Sequence, residues 1–260
     1  HYFSKSHSNE TGIKYSNMGY NIDIVQSPAE GVAPLPMASQ KGHSGLIQFY
    51  TQSKINLGKK FTLIAGLNTQ WFLLNDNYSI EPRAGLTYQF NSKHSLAFAY
   101  GLHSRIEDLK VYFVEQEGAY PNKTLDLMKS AHYVLSYNMK INDHLRLGIE
   151  PYFQRLSNVP VAIDSYTSTV NFEEEIFFNT ALVNEGTGHN LGIDLTLEQF
   201  LHKGFYYLFT ASVFDSKYTA MDGVERNTRF NRNYVINALA GKEWKVGKDD
   251  NNLLSANIRL

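Results

Sequence analysis

The chain has 260 residues, no cysteine, and 24 Lys and Arg against 25 Asp and Glu, a net charge of -1. With 43% hydrophobic and 13% aromatic residues it is neither disordered nor a disulfide scaffold, and its near-neutral balance offers no basic field for a nucleic-acid backbone. No run approaches the roughly 18 apolar residues of a membrane helix, and mean hydropathy is -0.33, which excludes a helical span but leaves a barrel untouched, because barrel strands are only half apolar.

In chain order, the sequence opens in a strand-like run at Tyr2-Phe3 and closes in an alternating run at 254–260, so it reads as a piece of a longer protein. No signal peptide opens it; any such segment is removed or lies upstream. Runs at 44–57 and 61–74 alternate loosely. From 80 to 90 the alternation is clean, with Ala84, Leu86, Tyr88 and Phe90 on one parity and Glu81, Arg83, Gly85, Thr87 and Gln89 on the other. Leu96, Phe98, Tyr100 and Leu102 then oppose Ala97, Ala99, Gly101 and His103, and Tyr133, Leu135, Tyr137 and Met139 oppose His132, Ser136 and Asn138. After a looser run at 145–156 comes the sharpest case, Leu191, Ile193, Leu195 and Leu197 against Gly192, Asp194, Thr196 and Glu198; looser runs follow at 205–218 and 232–244. Asp194 and Glu198 could not line a dry core unpaired.

About eleven strands fit, and at roughly 10 to 14 residues each they exceed ordinary soluble strands. Their connections alternate in size. Those at 58–60, 91–93, 142–143, 201–204 and 247–252 are tight, while 106–126, 157–187 and 218–231 are long and 75–79 is intermediate. Short turns at one end and long loops at the other are the pattern of an antiparallel up-and-down transmembrane β-barrel, with periplasmic turns and extracellular loops. Phe61, Trp71, Tyr88, Phe90, Tyr100, Tyr137, Phe205, Tyr207 and Trp244 fall near run ends, where rings span a headgroup boundary.

The ordered segments Glu81-Pro82-Arg83-Ala84-Gly85-Leu86-Thr87-Tyr88, Tyr100-Gly101-Leu102-His103-Ser104, Tyr152-Phe153-Gln154, Asn158-Val159-Pro160-Val161, Asn184-Glu185-Gly186-Thr187-Gly188 and Gly241-Lys242-Glu243-Trp244 carry a resemblance. Asn190, Gly192, Asp194, Thr196-Leu197-Glu198, Asp215-Ser216-Lys217-Tyr218, Asp222-Gly223 and Arg226-Asn227-Thr228 extend it. Together they resemble the C-terminal half of the β-barrel of TonB-dependent outer-membrane receptors, in particular those common in Bacteroidota. The resemblance implies that residues 1–260 are part of a barrel of about twenty-two strands whose plug domain lies elsewhere in the protein. It further implies location in the outer membrane and import of a scarce small-molecule or oligomeric ligand such as an iron chelate, cobalamin, glycan or peptide. The implied partners are outer-membrane lipid, the plug and the TonB energy-coupling complex.

With tight turns taken as periplasmic, Glu81, Arg83, His103, Arg105, His132, Gln154, Asn190 and Asp194 lie on the lumen face near the extracellular rim, as candidate ligand contacts. For Glu81 and Arg83 the competing reading is a charge pair that holds the wall together. Arg146, Glu150 and Glu198 lie deeper, toward the plug. The long loops bring Tyr112, Phe113, Tyr120, Tyr166, Phe172, Phe177, Phe178 and Tyr218, which supply apolar area to a binding mouth or pack upon one another. Glu173-Glu174-Glu175 reads as a solvated acidic patch, and His103 with His132 as hydrogen-bonded lumen residues rather than metal ligands. No Gly-x-Ser-x-Gly elbow, phosphate-cradling glycine loop or His-Glu-x-x-His occurs, so neither an enzyme nor a cofactor is expected. The alternatives are an outer-membrane barrel enzyme or adhesin, and a soluble lipocalin-like binding barrel.

Overall fold

The computed structural model describes residues 2–4, 6–27, 30–172, 180–247 and 251–260. One antiparallel sheet of thirteen strands contains most of them. In chain order these are β1 (Tyr2–Ser4), β2 (His7–Gln26), β3 (Leu35–Leu57), β4 (Phe61–Phe72), β5 (Asn77–Gln89), β6 (His94–Arg105) and β7 (Met128–Lys140). They continue as β8 (Leu145–Ala162), β9 (Leu182–His202), β10 (Phe205–Thr219), β11 (Glu225–Asn227), β12 (Tyr234–Val246) and β13 (Asn252–Arg259). Each strand on the main path pairs with its predecessor, and β11 is a flap folded back on β10. Among the described residues β1 and β13 do not pair, so the sheet is a barrel wall that is not closed.

The tight turns owe their shape to local chemistry. Asn91 accepts the backbone N–H groups of Lys93 (2.8 Å) and His94 (3.1 Å), and Asn142 repeats the device with His144 (2.9 Å) and Leu145 (3.0 Å). At the β9–β10 turn Gly204 has φ 79°, and an added Cβ would lie 2.3 Å from the Glu243 carbonyl, so only glycine fits.

Register fixes the two faces. Leu67 pairs with Pro82, Leu86 with Phe98, Phe98 with Leu135, Ile149 with Leu195, Ile193 with Val213, Ala211 with Ile236 and Ala240 with Ile258. From β4 to β13 these side chains form one outward apolar surface, on which Leu191 is 56% and Ile193 54% exposed. A soluble barrel would bury that parity in its interior, so the lipocalin-like alternative fails here. Tyr78 and Tyr88 bracket the band on β5. They are about 33 Å apart along the strand at about 3.3 Å per residue, which a tilt of about 40° foreshortens to about 25 Å, the height of an outer-membrane apolar band. Phe61 stacks on Tyr88 (4.7 Å) at the short-turn end and Tyr100 meets Tyr133 (5.2 Å) nearer the long loops, forming two aromatic belts. The outward face of β2 and β3 departs from the pattern, because Asn9, Thr11, Thr51 and Ser53 lie there and satisfy one another by hydrogen bonds.

Several strands run longer than expected. β2 has 20 residues, β3 23 and β9 21, more than a membrane crossing requires, so they project beyond the band on the long-loop side. The connection expected at 157–187 accordingly shrinks to 163–181, with β8 bulged at Asn158 (φ 54°) and Gly186 of β9 seated where an added Cβ would meet Val161 at 2.4 Å. The dry core of the molecule lies out here. Phe72, Val111, Tyr112, Leu125, Ala162 and Leu182 form one buried cluster, and Val159, Val161, Tyr218 and Ala220 another.

The face assignment predicts a strong asymmetry between neighbours on β7. In the full-length protein, Leu135→Arg at mid-band is expected to cost about 2–4 kcal/mol in urea unfolding from liposomes, whereas Ser136→Arg on the lumen face stays near neutral. Equal costs at the two positions would contradict the assignment.

Candidate functional site

Segment 106–127 does not stand out into solvent. It enters the mouth, where the Glu115 N–H donates to the Met37 carbonyl (3.1 Å), Phe113 packs on Tyr20 (4.7 Å) and the Tyr120 hydroxyl accepts from Gln40 (2.6 Å). Asn122, fully buried, locks it to the start of β9 by accepting the Leu182 N–H (2.7 Å) and donating to the Thr180 carbonyl (3.1 Å). Asn75 and Asn77 both donate to the Leu125 carbonyl at 2.8 Å. Tyr112, 0% exposed, receives the Glu107 N–H on its hydroxyl (3.1 Å), and burial pushes its phenol up to about 12. The 163–181 connection is anchored by Ser168, whose hydroxyl donates to the Pro160 carbonyl (3.0 Å) and accepts the Val170 N–H (3.4 Å).

Between these segments and the lumen face of β6–β10 is a cavity of about 590 Å³. Arg105, Glu107, Thr169, Asn190, Ser216 and Thr228 supply its polar wall, and Ile106, Val111, Leu156, Val170 and Phe230 its apolar one. Three oxygens in this wall, Glu107 Oε1, Thr169 Oγ1 and Asn190 Oδ1, are buried with no hydrogen bond of full geometry, although the Thr169 hydroxyl lies near enough to the Glu107 carboxyl to favour its ionised form. Glu107 and Thr169 are more than nine-tenths buried, and the Arg105 guanidinium reaches Glu107 Oε1 only at 3.8 Å, beyond hydrogen-bond length. Burial pushes the Glu107 carboxyl above its ordinary range. Below the cavity, and sharing Asn190, Ser216 and Phe230 with it, a second concavity of about 430 Å³ carries Gln154, Glu150 and Asp194. There Asn190 donates to Gln154 Oε1 (2.9 Å), Ser212 hydrogen-bonds Asp194, and Glu150 faces Asp194 across the β8–β9 register. Deeper still, Arg146 and Glu198 form an ion pair at 2.5 Å.

The other positions singled out from the sequence scatter. Glu81 is 1% exposed, and its carboxylate accepts from Asn68 (2.8 Å), Gln70 (2.6 Å), Ser79 (2.8 Å), Arg83 (3.0 Å), the Ser104 hydroxyl (2.5 Å) and the Ser104 N–H (3.2 Å). The β5–β6 ladder stops at the Arg83–Gly101 pair, so this carboxylate replaces the missing main-chain acceptor and fastens β4, β5 and β6 together. His103 and His132, ring centroids 4.6 Å apart, share a separate concavity with Arg83. Tyr166 is exposed at the rim under the Arg226 guanidinium (5.1 Å), and Tyr218 belongs to β10, buried against the 163–181 connection. Phe177, Phe178 and the Glu173-Glu174-Glu175 patch lie outside the described residues. Sequence reasoning missed Glu107, Thr169, Ser216 and Thr228. Glu107, one of two adjacent acids between Ile106 and Leu109, was the one signal available.

The sequence matches the family described as TonB dependent receptor-like, beta-barrel, over residues 1–252. No curated protein matches it. Among solved structures it is similar to the ferric-catecholate import receptor Fiu of E. coli K12 (11% identity, TM-score 0.65, 93% of this chain and 40% of that one). It is also similar to the siderophore receptor PirA of Pseudomonas aeruginosa (13%, 0.64, 99% and 43%) and to the structure of the FpvAI–pyocin S2 complex (12%, 0.66, 100% and 35%). The chain thus spans about two-fifths of the length of these receptors.

Two substitutions test the site. Glu81→Gln turns an acceptor into a donor amid donors and is expected to lower stability by about 1–3 kcal/mol in thermal or urea unfolding; an unchanged midpoint would contradict the fastening role. Glu107, its carboxyl raised by burial, favours folding in its protonated form, so its contribution is fullest below the ordinary carboxylate range and falls as pH rises toward the raised value. Glu107→Gln should therefore raise the melting temperature at pH 7 by a few degrees and change it little at pH 4. A loss at pH 7 would mean that Thr169 and Arg105 outweigh the cost of burial at the carboxylate.

Proposed function

Because the chain belongs to the TonB-dependent receptor-like β-barrels, as its match over residues 1–252 shows, we propose that it forms the wall of an energised importer and meets its ligand in the mouth cavity of β6–β10. The family and its solved neighbours are transport receptors of the Gram-negative outer membrane. The open sheet supports placing the remaining strands and the plug in the rest of a longer protein. Two unpaired edges in lipid would cost several kcal/mol for each unsatisfied group, and closure removes that cost. On this reading the TonB complex supplies work through the plug, the barrel binds and releases, and none of its residues is catalytic.

These three buried, poorly satisfied oxygens carry the choice of site. Buried acceptors with poor partners are costly, and a ligand that brings O–H or N–H groups offers donors to this wall. Apolar wall residues and Phe230 would take its nonpolar faces. Such a surface suits glycans, peptides and hydroxyl-rich chelates better than a compact anion. Likeness to siderophore receptors at 11% to 13% identity supports the fold and leaves the ligand open.

The test uses cells in which the full-length receptor is the sole route for uptake, offered labelled oligosaccharides, peptides, ferric chelates and cobalamin in turn. One class should enter, uptake should stop on adding a protonophore, and Thr169→Val with Asn190→Leu should raise its half-saturating concentration about tenfold at equal surface expression, consistent with loss of one to two hydrogen bonds. Uptake that ignores the protonophore would defeat the importer; an unchanged half-saturation would defeat the cavity.

A further inference from the structure

The outward face of β2 and β3 carries amide and hydroxyl groups at a depth where the wall from β4 onward is mainly apolar. Leu57, the last residue of β3, pairs with Phe61 of the aromatic belt at the short-turn end. Ser53 and Thr51 therefore stand about 10 and about 15 Å above that belt, at about 3.3 Å per residue and a tilt of about 40°, which puts them inside the apolar band. Asn9 donates to Ser53 (3.1 Å) and Thr51 (3.2 Å), and Thr11 shares a hydrogen bond with Thr51 (2.8 Å). Polar groups facing hydrocarbon are costly, and protein contacts in membranes are where they gather. Beyond the band the same parity leads to Asp23 on β2 and Lys41 on β3. Both are exposed, and neither takes part in an ion pair among the described residues.

Strand tilt brings particular residues of this face to one height. The register line from Phe61 runs through Tyr88, Leu96, Tyr137, Ile149, Leu195 and Ala211 to Ile236, far above the turn that follows Val246, so registered residues rise from each strand to the next. The rise is about 3 Å per strand, and two residues back toward the turn lower the height by about 5 Å. Thr11 is registered with Thr51 and Asp23 with Ser39, so Thr11 lies nearly level with Ser53, and Asp23 with Lys41. We propose that the outward face of β2 and β3 pairs with the same face of a second copy of this chain in the plane of the membrane. A half-turn about the membrane normal, in front of the β2–β3 seam, sets β2 of each copy against β3 of the other. Thr11 then meets the other copy's Ser53, and Asp23 meets its Lys41, each contact made twice. Two copies in one membrane share orientation and depth, so the patch meets groups of its own height, and hydroxyls that both donate and accept match themselves. A strip about 15 Å wide and about 35 Å tall offers about 500 Å² on each copy, enough for a weak, reversible dimer. This pairing uses the outward face and stands apart from the import reading, which concerns the lumen.

The experiment places the fluorescently labelled full-length protein in liposomes at rising surface density and counts copies per spot by single-molecule photobleaching. The wild type should pass from one copy to two. Asp23→Lys and Lys41→Asp should each raise the dissociation constant about tenfold, because both symmetry-related pairs turn repulsive. The swap Asp23→Lys with Lys41→Asp should bring it back near the wild-type value, which separates lost complementarity from misfolding. Thr11→Val with Ser53→Ala should raise it about fivefold, as expected for hydrogen bonds lost within the band, and Lys129→Asp on β7 should leave it unchanged. A protein that stays single at every density, single reversals without effect, or a swap that fails to recover would overturn the proposal. So would cross-linking from position 11 in native membranes that captures a different protein and no second copy.

Discussion

In hydrocarbon no water accepts the hydrogen bonds of an unpaired peptide group, and that constraint governs the structure. It requires each strand to lie beside the next in an antiparallel ladder, as the chain does from β1 to β13 with only the β11 flap off the path. The requirement explains why side-chain devices occur where the ladder lapses. Where β5 and β6 part above Arg83 and Gly101, a buried carboxylate supplies the acceptor that the backbone no longer provides. Where β8 and β9 slip past one another at Asn158, Asn184 donates across to the Asn158 carbonyl.

The same constraint inverts the usual location of the hydrophobic core. Through the membrane the greasy parity faces acyl chains and the other lines a polar lumen, so neither forms a dry interior. Only beyond the band, where long strands and inward-folded segments meet, do Phe72, Tyr112, Val159 and Val161 become fully buried. The mouth is thereby built on packed structure, which is what positions buried oxygens such as Glu107 Oε1 and Thr169 Oγ1 in a cavity wall.

How much of this the sequence disclosed follows from where period 2 survives. In β9 one parity is Leu191, Ile193, Leu195 and Leu197, and face and register follow directly. In β2 the apolar parity changes midway, from Ile13 and Tyr15 to Tyr20, Ile22 and Ile24, because the strand leaves the membrane; the two halves cancel, and a 20-residue strand goes unread. Tyr112 and Phe113 were legible as loop aromatics, yet whether they greet a ligand or one another depends on contacts with β2 and β4 that no local pattern encodes. Glu81 was found by parity alone. Its fastening role needed Gln70 and Ser104, which lie 11 and 23 residues away and come together only in the sheet.

The most direct test of the account exploits the absence of native cysteine. Spin labels placed singly along β9 at positions 191 to 198, in the complete receptor in bilayers, can be exposed to oxygen, which partitions into lipid, and to a water-soluble nickel chelate. The account predicts oxygen-dominated relaxation at 191, 193, 195 and 197 and its loss at 192, 194, 196 and 198. A flat profile, or one of opposite phase, would contradict it.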